Sequence, residues 1–184
     1  MGKRALVLVD IQNDYFPGGK WTLHGVEAAA DNAARLLAAA RDAGDLVVHV
    51  RHEFASADAP FFTPGSDGAR IHPKVESRAG EPVILKHQVN SFRDTELEAV
   101  LRGRGVDTLT IVGNMSHLCI DAITRASADL GFSATVIHDA CAARDVEFNG
   151  TRVPAEQVHA AIMASLAFGY ATVQSTEAYL AERQ

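Results

Sequence analysis

Near-continuous apolar runs alternating with helix-spaced segments constrain this chain more than anything else in it. Ala5-Leu-Val-Leu-Val9 is apolar at every position. It reads as a central parallel strand covered on both faces, because a strand with one wet face alternates instead. Further strands are expected at Asp45–Val50, Val83–Leu85, Leu109–Val112, Ser133–His138 and Ala171–Val173. Between them lie helical patterns. Val26 to Ala43 is alanine-rich and stopped by Gly44. A helix carrying Leu97, Val100 and Leu101 has Asp94 or Thr95 as its cap. Another follows Cys119, with Leu118, Ala122, Ala126 and Leu130 on one stripe, Ile120 and Ile123 beside it, and Gly131 as its stop. Pro154 suits the first turn of a helix bearing Val158, Ile162 and Leu166. Ser175 caps a terminal helix containing Leu180. The pattern predicts a three-layer α/β/α sandwich around a mostly parallel six-stranded sheet, as one domain over residues 1–184.

The formal net charge of −6 argues against a general nucleic-acid binder, which needs a basic surface to neutralise phosphates. The two cysteines, Cys119 and Cys141, make no disulfide framework and fit a reducing compartment. The apolar run before Asp10 is too short for a signal peptide or a membrane span. A cytoplasmic protein with no membrane partner is expected. From Arg51 to Arg78 no periodicity survives, and a loop of that length suits a lid or an interface arm.

Ligands of open parallel sheets bind beyond the carboxyl ends of the strands. Asp10 ends the first strand, Lys86 ends the third, and Cys119 follows the fourth. Each has a plainer explanation: Asp10 as a turn cap, Lys86 as a surface cation, Cys119 as a small core residue. Together they make a coherent set. A thiolate is a nucleophile. A carboxylate can take its proton and later return it to a leaving group. An ammonium beside both stabilises their charged forms. Unpaired N–H groups and the helix dipole at a helix start are expected to lower the Cys119 pKa. Backbone N–H groups between Asn114 and Cys119 could bind a developing oxyanion.

Three stretches carry a family resemblance: Ala5-Leu-Val-Leu-Val-Asp-Ile-Gln-Asn-Asp-Tyr-Phe16, Val83-Ile-Leu-Lys-His-Gln-Val-Asn-Ser-Phe92, and Val112-Gly-Asn-Met-Ser-His-Leu-Cys-Ile-Asp-Ala122 with Thr124 and Gly131 after it. Val136-Ile-His-Asp-Ala140 also fits. The sequence resembles the isochorismatase-like cysteine hydrolases, which include nicotinamidases, N-carbamoylsarcosine amidases and other amidases. That resemblance implies a catalytic triad of Asp10, Lys86 and Cys119. It also implies a cis peptide bond before Met115 that turns the amides of Met115 and Cys119 toward the oxyanion. The family usually has a small apolar pair where Asn114-Met115 stands here.

Nicotinamidases of that family carry an Asp-x-His metal pair after the second strand. Here the region reads His49-Val-Arg-His-Glu-Phe54, and the pair is missing. His49 and His52 point to opposite faces of an extended strand. A His52, His72 and His87 cluster is the remaining conceivable ligand set, and no metal or cofactor is expected. Candidate pocket residues are Gln12, Phe16, Trp21, His52, Phe92, Asn114 and His117. Cys141 reads as packing. The expected activity is hydrolysis of a small amide, ureide or carbamoyl compound through a Cys119 thioester. The alternatives are vinyl-ether hydrolysis and a thiol redox or sensor role. Family relatives are commonly oligomeric, so a homodimer or homotetramer is expected, with Ala59-Pro-Phe-Phe-Thr-Pro64 suited to the interface.

Overall fold

Strand β1, Lys3–Val9, sends Leu6 and Leu8 to one face of a sheet and Ala5, Val7 and Val9 to the other, and all five are buried. It belongs to a computed structural model that describes residues 3–183. The other strands are β2 (Leu46–His52), β3 (Val83–Lys86), β4 (Val106–Asn114), β5 (Ser133–Ala142), a hairpin of β6 (Val146–Phe148) and β7 (Thr151–Val153), and β8 (Thr172–Gln174). The six-stranded sheet has the order β3-β2-β1-β4-β5-β8, and every neighbouring pair is parallel.

Among the described residues, five α-helices cover the sheet: α1 (Val26–Asp42), α2 (Leu97–Gly103), α3 (Asp121–Asp129), α4 (Ala155–Gly169) and α5 (Thr176–Ala181). One face packs against α1 through Ala29, Ala33, Leu36 and Leu37, with Tyr179 and Leu180 of α5 beside them. The opposite face packs against Leu97 and Leu101 of α2, Ile123 of α3, and Met163 and Leu166 of α4. The three-layer sandwich expected from the strand–helix alternation is therefore present. Among the described residues, no helix is long and apolar enough to cross a membrane.

The chain runs outward from β1 through β2 to β3. It then returns to the other side of β1 and continues through β4, β5 and β8. The order reverses between β1 and β4, which opens a crevice at their carboxyl ends. Gly113 makes the close approach there possible. Its φ is 121°, and a Cβ would lie 2.0 Å from the Val9 carbonyl oxygen. No side chain fits at that point, so β4 stays in register with β1 up to the residue before Asp10.

Several local expectations are corrected. β4 and β5 run longer than the apolar runs alone suggest, and the Asp139–Ala142 segment is strand. Cys141 is buried on it, its thiol donating to the Ile137 carbonyl. Helix α2 starts with Glu96 at the cap position. Thr95 lies one residue earlier, its hydroxyl accepting the Leu97 N–H and donating to the Ser91 carbonyl. Pro154 occupies the cap of α4 rather than its first turn. The stripe expected after Cys119 is rotated. Leu118 is 40% exposed, and the inward residues are Ile120, Ile123, Thr124 and Ser127. A π-helical turn at Ser116–Ile120 causes this, because its Ile120 N–H reaches back five residues to the Met115 carbonyl. The Thr124 and Ser127 hydroxyls stay satisfied inside the core by donating to the Ile120 and Ile123 carbonyls.

The Arg51–Arg78 loop folds back on its own chain. Phe61 and Phe62 are buried and packed against Tyr15, with Phe61 also meeting Trp21 and Phe54. Asp14 pins the loop by accepting the Phe62 N–H at 2.7 Å. Both rings of the Ala59–Pro64 segment are thus packed within the chain.

Candidate active site

Asp10 leaves β1 with φ 50°, while its N–H still bonds to the Val50 carbonyl of β2 at 2.9 Å. Its carboxylate turns inward and is fully buried, as is Lys86 at the end of β3. The Lys86 Nζ lies 2.8 Å from Asp10 Oδ2, 3.0 Å from His52 Nδ1, 3.1 Å from the Gln88 carbonyl and 3.2 Å from Cys119 Sγ. Its three N–H bonds serve His52 Nδ1, the Gln88 carbonyl and Cys119 Sγ. The contact to Asp10 is close but out of hydrogen-bond line, so it acts as an ion pair, and Oδ1 has no partner among the described residues. Two strand ends and one turn therefore bring Asp10, Lys86 and Cys119 together.

Burial sets the electrostatics of this group. It pushes the Cys119 thiol up to about 12, the Asp10 charge adds to the rise, and Lys86 offsets only part of it. The expected lowering of this thiol by the helix start is overturned, because desolvation in a site 5% exposed outweighs it. Burial also penalises the Lys86 ammonium, but Asp10 and Cys119 overcome that penalty and raise its pKa. Burial and the Lys86 charge lower His52 to about 4, so its ring is neutral at pH 7 and accepts from Lys86. Cys119 thus rests as a thiol beside an ion pair. Its alkylation by iodoacetamide is expected to rise about tenfold per pH unit from pH 7 to 10. A rate that levels off near neutral pH would contradict this. By the same sign the unfolded chain releases the thiol proton before the folded one, so this group costs stability as pH climbs past its ordinary range.

The turn before Cys119 is held from both sides. The Asn114–Met115 peptide bond is cis. Asn114 accepts the Ala142 N–H at 3.2 Å and reaches the Asp10 carbonyl at 3.4 Å. Ser116 donates to the Ala142 carbonyl at 3.1 Å. Asn114 is therefore a buried brace of the turn rather than a pocket wall.

The other candidate pocket residues divide. Gln12 is fully buried. Its amide donates to the His52 and Ala69 carbonyls and accepts the His52 N–H, all at 2.8 Å, so it is spent on joining β2 to the long loop. Phe16 is buried and stacked on His72 at 3.7 Å between centroids. Phe92 lies on the helix layer, stacked on Phe132. His52 touches Lys86 directly. Trp21 and His117 do line a groove of about 520 Å³ beside the turn, together with Met115, Leu118, Arg144 and the β6–β7 hairpin. A larger cavity of about 1290 Å³ opens at the opposite end of the sheet, around Lys3, Arg4, Leu46 and Val106, away from the three reactive groups.

The histidines weighed as metal ligands have other partners. His49 bonds to Glu81 at 3.0 Å, and the Arg41 guanidinium beside that carboxylate holds its pKa down at about 2. His72 accepts the Lys74 N–H, and His87 meets the Glu53 carbonyl.

Two features of the groove escaped the sequence reading. The hairpin forming its wall turns at Asn149-Gly150, both at positive φ, and that dipeptide is a strong hairpin signal. The other is Arg144. Its guanidinium lies 4.0 Å from the centre of the Trp21 ring and makes no ion pair among the described residues. Nothing in its local sequence sets it apart.

Residues 4–178 match the isochorismatase domain. The chain is 47% identical to the isochorismatase family protein YddQ of Bacillus subtilis, covering 96% of this chain and 98% of that one. It is 32% identical to maleamate amidohydrolase of Pseudomonas putida over 74% of this chain and 71% of the relative. A solved structure from Oleispira antarctica, described as an isochorismatase hydrolase, superposes with a TM-score of 0.94 at 57% identity, covering 98% and 97% of the two chains. The protein belongs to the isochorismatase family of hydrolases.

Proposed function

We propose that this protein hydrolyses the C–N bond of a small amide, ureide or carbamoyl compound through a covalent Cys119 thioester. The observation that carries the reading is the buried Lys86 ammonium, 2.8 Å from the Asp10 carboxylate and 3.2 Å from the Cys119 sulfur. The similarity to maleamate amidohydrolase supports it.

The high thiol pKa dictates the order of events. Cys119 attacks the carbonyl carbon as its proton passes to Asp10, whose Oδ1 is unengaged. Negative charge grows on the carbonyl oxygen, where the Met115 and Cys119 N–H groups are its donors. Asp10 then protonates the departing nitrogen, the C–N bond breaks, and ammonia or an amine leaves. A water gives its proton to Asp10 and attacks the thioester. The acid is released as sulfur takes that proton back. Lys86 keeps its charge throughout and offsets the negative charge as it moves between carboxylate and sulfur.

The groove indicates the rest of the substrate. Among the described residues Arg144 has no ion partner, and the indole N–H of Trp21 is buried without an acceptor. Asp145 on the same wall is already taken by Arg152 and the Ala155 N–H. Two unfilled donors suit a carboxylate tail on the amide. Ammonia release from a panel of small amides, ureides and carbamoyl compounds, with and without a carboxylate, tests this. Arg144→Gln is expected to raise KM for carboxylated members about 10- to 100-fold, the worth of a lost charge-assisted contact. Neutral members should change little. Equal effects on both sets would remove Arg144 from substrate binding. Hydrolysis that survives loss of the Cys119 thiol would overturn the covalent route.

A further inference from the structure

We infer that His159, on α4, is a positioning residue for the oxyanion-binding turn, acting through Ser116. This rests on the amidase reading above.

Ser116 is fully buried, immediately after Met115 and three residues before Cys119. Its Oγ lies 3.1 Å from the Ala142 carbonyl and 2.7 Å from His159 Nδ1. A serine has one hydroxyl proton, and a carbonyl can only accept. For both contacts to be hydrogen bonds, that proton goes to Ala142 and His159 donates its Nδ1–H to the same oxygen. The imidazole tautomer is set by this pairing. Burial, with His138 nearby, favours the neutral ring.

The brace is two-sided. Asn114 and Ser116 flank Met115 and both grip one residue, Ala142 of β5. Asn114 takes its N–H, and Ser116 takes its carbonyl. The Met115 amide is thus suspended between two anchored neighbours. The Ser116 anchor is held by a helix that carries none of the three reactive groups. A donor aimed at a developing oxyanion counts only when its direction is fixed beforehand. Loss of the His159 contact frees Ser116 to rotate and loosens the Met115 N–H while leaving Cys119, Asp10 and Lys86 in place.

The effect should fall on kcat, because the ground-state carbonyl gains little from this donor. His159→Leu and Ser116→Ala are each expected to lower kcat about 10- to 100-fold with KM within about threefold. The double variant should be no worse than the poorer single one, since both break the same contact. His159→Asn, whose amide N–H can replace Nδ1–H, should recover most of the loss. A second readout needs no turnover. The sequence holds three methionines, Met1, Met115 and Met163, so selective 15N-Met labelling follows the Met115 amide directly. Its signal should move in His159→Leu and return in His159→Asn. An unchanged kcat, a loss confined to KM, multiplicative effects in the double variant, or an unmoved Met115 signal would each overturn the inference. A wild-type chain that hydrolyses nothing in the panel, or does so equally without Cys119, overturns the amidase reading instead. The Met115 signal still decides the brace.

Discussion

Cys119→Ala is expected to lower kcat by about 10⁴-fold or more while the protein stays folded. Cys119 is 5% exposed, and its sulfur is only one of the acceptors around Lys86. Its removal leaves a small void and no stranded charge, which predicts a modest change in thermal midpoint. Under the proposed mechanism activity disappears because the acyl intermediate forms on that sulfur. Cys119→Ser should be nearly as inactive, since a hydroxyl is harder to deprotonate and Asp10 is a weak base for it. Ammonia release gives the rate. Intact mass spectrometry of wild type quenched during turnover should show an acyl adduct that both variants lack. A Cys119→Ala rate within about tenfold of wild type would remove the thiol from the mechanism.

Lys86→Met should abolish activity and also destabilise the fold by about 3–5 kcal/mol, because it strands a carboxylate in the interior. Asp10 is fully buried and Lys86 is its one ion partner among the described residues. The sign of the pH effect separates this from a packing defect. In the variant, an unpaired buried carboxylate favours its protonated form, so the folded state binds a proton that the unfolded chain does not. Stability of Lys86→Met should therefore rise relative to wild type as pH falls from 8 toward 5. Denaturant midpoints at several pH values measure this. A gap that stays constant with pH would mean that lost packing, not stranded charge, is the cause. Asp10→Asn in the same background should recover part of the stability and none of the activity, since it removes the stranded charge and the base together.

Those two residues also show how far the primary structure reaches. The apolar runs place Asp10 and Lys86 at strand ends, and the parallel pattern sends all strand ends to one side of the sheet. That step needs only periodicity and the rule that parallel strands share a direction. The Gly113–Cys119 stretch could likewise be read as a turn linking a strand to a helix. The rotated face of α3 could not, because a π-helical turn and an α-helical turn use the same apolar residues and differ by one position of slip. The Asn149-Gly150 turn was legible, and its physical signal is local. Arg144 and His159 were not, because each acts through a partner distant in sequence: Trp21 in one case and Ser116 in the other.

What the sequence alone determined about this protein is its layer architecture and the common side of the sheet on which Asp10, Lys86 and Cys119 lie. These follow from side-chain chemistry and from periods of two and 3.6 residues, both local properties. The tertiary structure alone decided how those groups behave. The helix-start argument pointed to a low thiol pKa. Full burial around the Asp10–Lys86 pair reversed it, because desolvation depends on every atom packed nearby and not on neighbours in the chain. It also turned Gln12 and Asn114 from pocket walls into braces, since a buried amide must satisfy its donors and acceptors wherever the fold supplies partners.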